Sequence, residues 1–381
     1  MRKAFLGCDI FDGQARHKKS ALLISGDRVA GIVPIEDVPS DYTQVHLSGE
    51  LITAGFVDLQ VNGGGGVMLN DDPSVETMRA IFDAHLPFGT TSLLPTLITD
   101  TPEKTTDAIR AAREFEAGGV IGLHLEGPHL SLARKGAHDP QLIRTMSQND
   151  CEQLKGAAAQ LGSLLLTVAP EAVATAQISD LVAAGAIVSL GHTDAGFARA
   201  QGAIEGGATV VTHLFNAMSQ LGSREPGVVG AALNNSTVSA GLIADGCHVD
   251  PETIAIAIRA KRGPGNIFLV TDAMATLGTA QTRFTLNGRE IRREGGRLSL
   301  SDGTLAGADL DMISAVRFMV EKIGLGVEEA VRMATLYPAQ VLNREDEFGQ
   351  LVKGAQADFI LLNAQLEVDA VWRAGQQVFS Q

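Results

Sequence analysis

The sequence predicts an α/β protein, a (β/α)8, TIM-like barrel with a small β-sandwich domain built from both termini. Three observations lead there. From residue 51 onward, short apolar runs alternate with amphipathic stretches, and glycine or proline breaks each run. Residues 1–50 and 344–381 show no helical period of useful length and read as short strands joined by turns. Polar residues capable of chemistry stand at or just past the ends of six of the eight strands expected in the middle segment.

The N-terminal part contains KAFLGCDIF, ALLISGDRVAGIV and the QVHL run before Ser48, with Gly-Asp and proline-rich joints of hairpin type. The far end, GQLVKGAQADFILLN and EVDAVWRAGQQVF, has the same texture, so residues 1–50 and 344–381 are expected to share one small sheet domain. Between them, residues 51–343 are expected to form the barrel. Its strands are placed near 54–61, 91–94, 120–125, 164–169, 187–190, 210–212, 239–243 and 267–271. The helical stretches between strands are SVETMRAIFDAHL, PEKTTDAIRAAREFEA, NDCEQLKGAAAQL, ATAQISDLVAAG, FARAQGAIEGG and PETIAIAIRA. Residues 282–306 break this rhythm with an Asn-Gly and a Gly-Gly turn, which predicts a β-hairpin insertion after strand eight. DMISAVRFMVEKIG and VEEAVRMATLYPAQVL are expected to close the barrel.

Composition narrows the function. A chain of 381 residues with 45% apolar content is long enough to bury a large core. A formal net charge of −14 argues against nucleic acid or an anionic membrane surface as a partner. A small anionic ligand remains compatible, because a few local basic groups can hold it. The isolated cysteines Cys8, Cys151 and Cys247 form no CxxC pair, so reduced thiols and a cytoplasmic location are expected. No apolar run approaches membrane-spanning length.

The most informative stretch is 120–138, VIGLHLEGPHLSLARKGAH. Its apolar run ends on Glu126, immediately before Gly127 and Pro128. A buried carboxylate there needs a cation. Two further strand ends close on histidine, IVSLGH at His192 and TVVTH at His213. One glutamate and two histidines leave a divalent metal with an open position, as catalytic sites do. A lone histidine is more often a core residue; the pairing on neighbouring strands beside Glu126 favours ligation. Asp272 ends strand eight and could cap the next helix, but its place opposite the metal suits a proton-shuttling carboxylate. His248 in DGCHVDP is a candidate for substrate or carbonyl contact, and His124 is expected to lie inside the barrel without ligating. After strand one the chain reads Gln60, Val61, Asn62. Amides are weak ligands, so one metal is expected, with Gln60 and Asn62 holding water or substrate. Zn²⁺ is expected, with Fe²⁺, Mn²⁺ or Co²⁺ as alternatives.

At these residues the chain resembles the amidohydrolase superfamily. The motifs are GFVDLQVNGGGG (55–66), GLHLEGPHLSLARKGAH (122–138), LGHTDA (190–195), VTHLFNAMSQLGSREPG (211–227), DGCHVDP (245–251), LVTDAMA (269–275) and GTLAGADLDM (303–312). The resemblance implies a barrel of the metal-dependent hydrolase type that releases acetate from the 2-acetamido group of a sugar phosphate. N-acetyl-D-glucosamine 6-phosphate is the first substrate, and its galactosamine epimer or another amide the rival. It implies Glu126, His192 and His213 as ligands and Asp272 as acid/base. Ala137, His138, Asn216, Ala217, Arg224, His248, Leu305, Ala306 and Gly307 match substrate-contact positions. It also implies a homodimer in which Arg224 reaches across the interface. A non-catalytic oligomeric scaffold is the reading from a different class, and retention of all three ligands and Asp272 speaks against it.

Overall fold

Eight parallel strands form the central sheet of the structure, a computed structural model describing residues 2–381. They are Phe56–Val61, Thr90–Ile98, Leu123–Glu126, Leu164–Val168, Ile187–Leu190, Val210–Val211, Ser239–Leu242 and Ile267–Leu269, each beside the next in chain order. A parallel bridge between Val61 and Ala273 brings the last strand's continuation back to the first. There the Asp272 amide donates to the Gln60 carbonyl at 3.0 Å and the Asn62 amide to the Ala273 carbonyl at 2.9 Å. This seam sets Asp272 beside the QVN segment. The strands are buried on both faces, which is why they read as near-continuous apolar runs. The polar exceptions follow the strand period, so His124 and Glu126 share the inward face.

The helices start where their caps stand. Thr101 caps Pro102–Glu114, Ser147 and Asp150 form a capping box on Gln148–Ala158, and Asp250 caps Pro251–Ala260. Helix Gly227–Asn234 was not expected from the sequence. Its GVVGAALN is buried from Gly227 to Leu233, so it carries no polar face and hence no amphipathic period.

Two expectations need correction. The run expected as one strand over 54–61 is two, Leu51–Ala54 and Phe56–Val61, divided at Gly55. A Cβ on Gly55 would stand 2.2 Å from Thr91 Oγ1, so only glycine allows this approach. The expected hairpin over 282–306 is a four-stranded antiparallel sheet, Arg283–Leu286, Arg289–Glu294, Arg297–Ser299 and Leu305–Ala308. Its first turn places Asn287 and Gly288 at φ 48° and 73°, as an Asn-Gly hairpin requires. Leu286, Ile291, Leu298 and Ala306 pack with Met68 and Met274 beneath it.

The terminal segments build two further sheets. One holds Arg28–Pro34, Ser20–Ser25, Arg2–Leu6 and Thr43–His46 in that order. The other joins the C-terminal strands Gln376–Ser380, Val368–Arg373 and Phe359–Leu362 to Leu51–Ala54, Asp9–Phe11 and Arg16–His17. Phe5, Ile10, Leu22, Ile52, Phe359 and Trp372 form their shared core, with the Phe359 and Trp372 rings stacked 4.8 Å apart. The chain divides into two compact units. One comprises residues up to 58, 85–92 and 312–381, including helices Met312–Glu321, Val327–Ala334 and Leu336–Val341; the other comprises 59–84 and 93–311. No helix of the described residues is long and apolar enough to cross a membrane.

Candidate metal centre and active site

The second unit holds the whole candidate site, where the chain leaves the C-terminal ends of the strands. Glu126 is the last residue of its strand, whereas His192, His213 and Asp272 lie just beyond theirs. These three have φ of 47°, 28° and 51°, left-handed values that cost non-glycine residues on the order of 1–3 kcal/mol each. The turn after His213 repeats the feature at Phe215 and Ala217. Such conformations persist only where the surrounding structure enforces them, and here they aim side chains at one point.

That point is compact and buried. His213 Nε2 stands 3.1 Å from Glu126 Oε1 and 3.1 Å from His192 Nε2, while His192 Nε2 stands 3.2 Å from Glu126 Oε1. All three residues are buried. His192 Nδ1 lies 2.8 Å from the Arg134 carbonyl, which can only accept, so the ring presents a bare Nε2 inward when neutral. Gln60 Nε2 donates to Glu126 Oε1 at 3.1 Å. Two imidazole nitrogens and one carboxylate oxygen converging this way fit a borderline divalent cation such as zinc. Burial pushes the Glu126 carboxyl up, but the adjoining His192 and His213 imidazoles outweigh it and hold the group well below the usual range. Burial works against charge on His213 as well, yet Glu126 raises its pKa.

Asp272 faces this group across the cavity. Burial and the neighbouring Glu126 charge push its carboxyl up to about 6, while Asn62 donates to its Oδ1 at 2.6 Å. Asp245 accepts from His248 Nδ1 at 2.7 Å and from the backbone amides of Cys247 and His248 at 2.8 Å each. The other ring nitrogen of His248 is thereby left for the cavity. His138 Nδ1 lies 2.8 Å from Thr99 Oγ1, and that hydroxyl donates to the Glu126 carbonyl at 3.1 Å. Burial and the nearby His192 hold the His138 pKa well below its ordinary value.

A cavity of about 380 Å³ opens over these groups. Asn62, Glu126, His138, His192, His213 and Asp272 form its floor, and Ala137, Asn216, Ala217, His248, Leu305 and Gly307 also line it. Three residues singled out from the sequence do not. Gln60 lies behind Glu126, Ala306 is 1% exposed in the core under the insertion sheet, and Arg224 stands exposed at its turn tip. Gln60 and Asn62 were expected to hold water or substrate; their amide nitrogens donate to Glu126 and Asp272, while Asn62 also lines the cavity with its Oδ1 unpartnered. Arg134, which lines the cavity and bonds Asp194 at 2.8 Å, was missed, as were Thr99 and Asp245. Asp245 had a local signal, standing three residues before His248; Thr99 had none.

Fold and site together define a hydrolase barrel of the metal-binding kind, with its chemistry at the strand ends. The chain belongs to the amidohydrolase family, whose model matches residues 51–378. It is 45% identical over 343 residues to an N-acetylgalactosamine-6-phosphate deacetylase of Shewanella sp. (strain ANA-3), covering 89% of this chain and 86% of that one. It is 35% identical over 376 residues to an N-acetylglucosamine-6-phosphate deacetylase of Haemophilus influenzae, with 97% of each chain covered. The crystal structure of N-acetylglucosamine-6-phosphate deacetylase from Pasteurella multocida superposes with a TM-score of 0.95 at 36% identity, covering 99% of this chain and 100% of that one. An aspartate-to-alanine mutant of the Mycobacterium smegmatis enzyme, in complex with N-acetyl-D-glucosamine 6-phosphate, does so at 0.91 and 32% identity, with 100% of each covered.

Proposed function

We propose that this protein hydrolyses the acetamide of N-acetyl-D-glucosamine 6-phosphate to D-glucosamine 6-phosphate and acetate. The observation that carries the reading is the buried Asp272 carboxyl facing the Glu126, His192 and His213 cluster across one cavity. Relatives named for this activity, matched over most of both chains, support it.

Glu126, His192 and His213 would hold one divalent cation, with Zn²⁺ the ion best suited to two imidazoles and a carboxylate. Such an ion supplies Lewis acidity, polarising the amide carbonyl and lowering the pKa of an attacking water. Asp272, kept in place by Asn62, takes a proton from that water and returns it to the departing amine nitrogen. His248, its Nδ1 donating to Asp245, presents Nε2 as an acceptor to a hydroxyl of the sugar. His138 and Asn216 offer hydrogen bonds to hydroxyls, and the Ala217 and Leu305–Gly307 turns shape the wall. Arg224, exposed and making no ion pair among the described residues, serves the 6-phosphate of a partner's substrate in a homodimer. The protein acts in the cytoplasm, with residues 51–343 as its catalytic domain and 1–50 with 344–381 as the small one.

A second reading, deacetylation of N-acetylgalactosamine 6-phosphate, is favoured by the 45% identity to an enzyme named for that substrate. Side-by-side kcat/KM for the two sugar phosphates, read as acetate release by metal-replete protein, distinguishes them. No acetate from either would refute both.

A further inference from the structure

Each metal ligand needs something to hold its orientation, and the cluster is unequal in this respect. Gln60 braces Glu126, and the Arg134 carbonyl braces His192. Nδ1 of His213 is buried and has no hydrogen-bond partner outside its own residue's backbone. Its ring direction therefore depends on the backbone at Thr212 and His213, where φ of His213 is a strained 28°.

Thr212 is the anchored residue. Its Oγ1 lies 2.7 Å from Thr167 Oγ1 and 2.5 Å from Ser189 Oγ. Thr167 Oγ1 in turn lies 2.7 Å from His124 Nε2, and His124 Nδ1 lies 3.2 Å from Thr96 Oγ1. These side chains form a buried polar belt through the second to sixth barrel strands, none of them more than 5% exposed. Its hydrogen bonds do not run to the side chains of Glu126, His192 or His213, and its only link to the ligands is the peptide bond from Thr212 to His213.

Its protons can be placed. Thr96 Oγ1 accepts from the Val61 amide at 2.9 Å and can donate to the Leu94 carbonyl at 3.3 Å. If Ser189 donates to Thr212, Thr212 to Thr167 and Thr167 to His124 Nε2, then His124 Nδ1–H donates to Thr96, and every hydroxyl proton has an acceptor. The reverse direction strands the Ser189 proton, and so does a doubly protonated ring. A buried donor without an acceptor forfeits its solvation with nothing in return, which selects the first arrangement.

We propose that this one-way belt, with His124 as its Nδ1–H hub, is the device that orients His213, doing through Thr212 what the Arg134 carbonyl does for His192. Thr212, Thr167 and His124 are thus positioning residues. The proposal rests on the metal-centre reading above and adds the residues that pre-form it.

The test is zinc affinity, measured on metal-free protein by competition with a chromophoric chelator. Thr212→Val keeps the shape and removes both hydroxyl links; it should weaken zinc binding about 10-fold, the lower end for loss of a ligand's outer support. Thr212→Ser keeps the hydroxyl and should retain wild-type affinity. Thr167→Val breaks the chain one link further away, so it reports the same effect if Thr212→Val fails to fold. Combined with Thr212→Val it should add little, because the belt acts as one unit. In ¹⁵N spectra of the wild type, His124 should show a pyrrole-type Nδ1 and a pyridine-type Nε2. Wild-type zinc affinity in folded Thr212→Val, equal loss in Thr212→Ser, or an Nε2–H tautomer at His124 would each overturn the proposal. Wild type that takes up no zinc would instead overturn the metal-centre reading, and the proposal with it.

Discussion

Replacing Asp272 with asparagine is the most direct probe of the chemistry. Asparagine nearly matches the carboxylate in shape, and it tolerates the left-handed backbone that Asp272 adopts at φ 51°. Its side-chain oxygen can still accept from Asn62 Nδ2, which now lies 2.6 Å from Asp272 Oδ1. The buried position also loses a charge that burial disfavours, so the fold should not suffer. What asparagine lacks is a proton acceptor of useful basicity. With the Asp272 carboxyl pushed up to about 6, the ionised form still predominates in the metal-free wild type at pH 7. A bound cation would draw the value lower, so the acid limb of kcat/KM should fall at or below about pH 6, with activity lost as the pH drops. Asp272→Asn should keep metal content and substrate affinity while kcat drops at least ~10²-fold, or about 3 kcal/mol in the barrier. The assay is acetate release at saturating metal, with zinc quantified in the same samples. Near-normal kcat in a metal-replete variant would refute the assignment and point to His248.

Two further outcomes follow from the same geometry. Wild type should bind about one zinc per chain and His192→Ala almost none, whereas Gln60→Ala, which removes only a brace on Glu126, should weaken binding roughly 10-fold yet still load at excess metal; two equivalents at full activity, by elemental analysis, would contradict the single-metal centre. Refolding Arg224→Ala chains together with Asp272→Asn chains should recover roughly a quarter of wild-type activity, since about half the dimers are mixed and each mixed dimer keeps one intact site; activity no higher than the mean of the two variants, with mixed dimers present, would place Arg224 in its own chain's site.

The sequence by itself determined the barrel, its strand order and the identity of the converging side chains, because these depend on local pattern. An apolar run ending on Glu126, and others closing just before His192, His213 and Asp272, can be read without coordinates, since barrel chemistry sits where strands end. The all-apolar helix Gly227–Asn234 escaped because burial on every side erases the periodicity that reveals a helix. Tertiary structure alone decided which neutral group meets which charge. Gln60 and Asn62 are two residues apart on one segment, yet one serves Glu126 and the other Asp272, because the Val61–Ala273 bridge closes the sheet between them. Thr99 and the Arg134 carbonyl acquired their roles the same way, through partners brought close by loops after different strands. The belt under the metal centre is the extreme case. Thr96, His124, Thr167 and Ser189 lie on successive strands, Thr212 lies one residue past the next, and all look individually like ordinary strand residues. Strand pairing fixes their height relative to one another, and a hydrogen bond depends on that height to within a few tenths of an ångström, a precision that residue spacing along the chain does not carry.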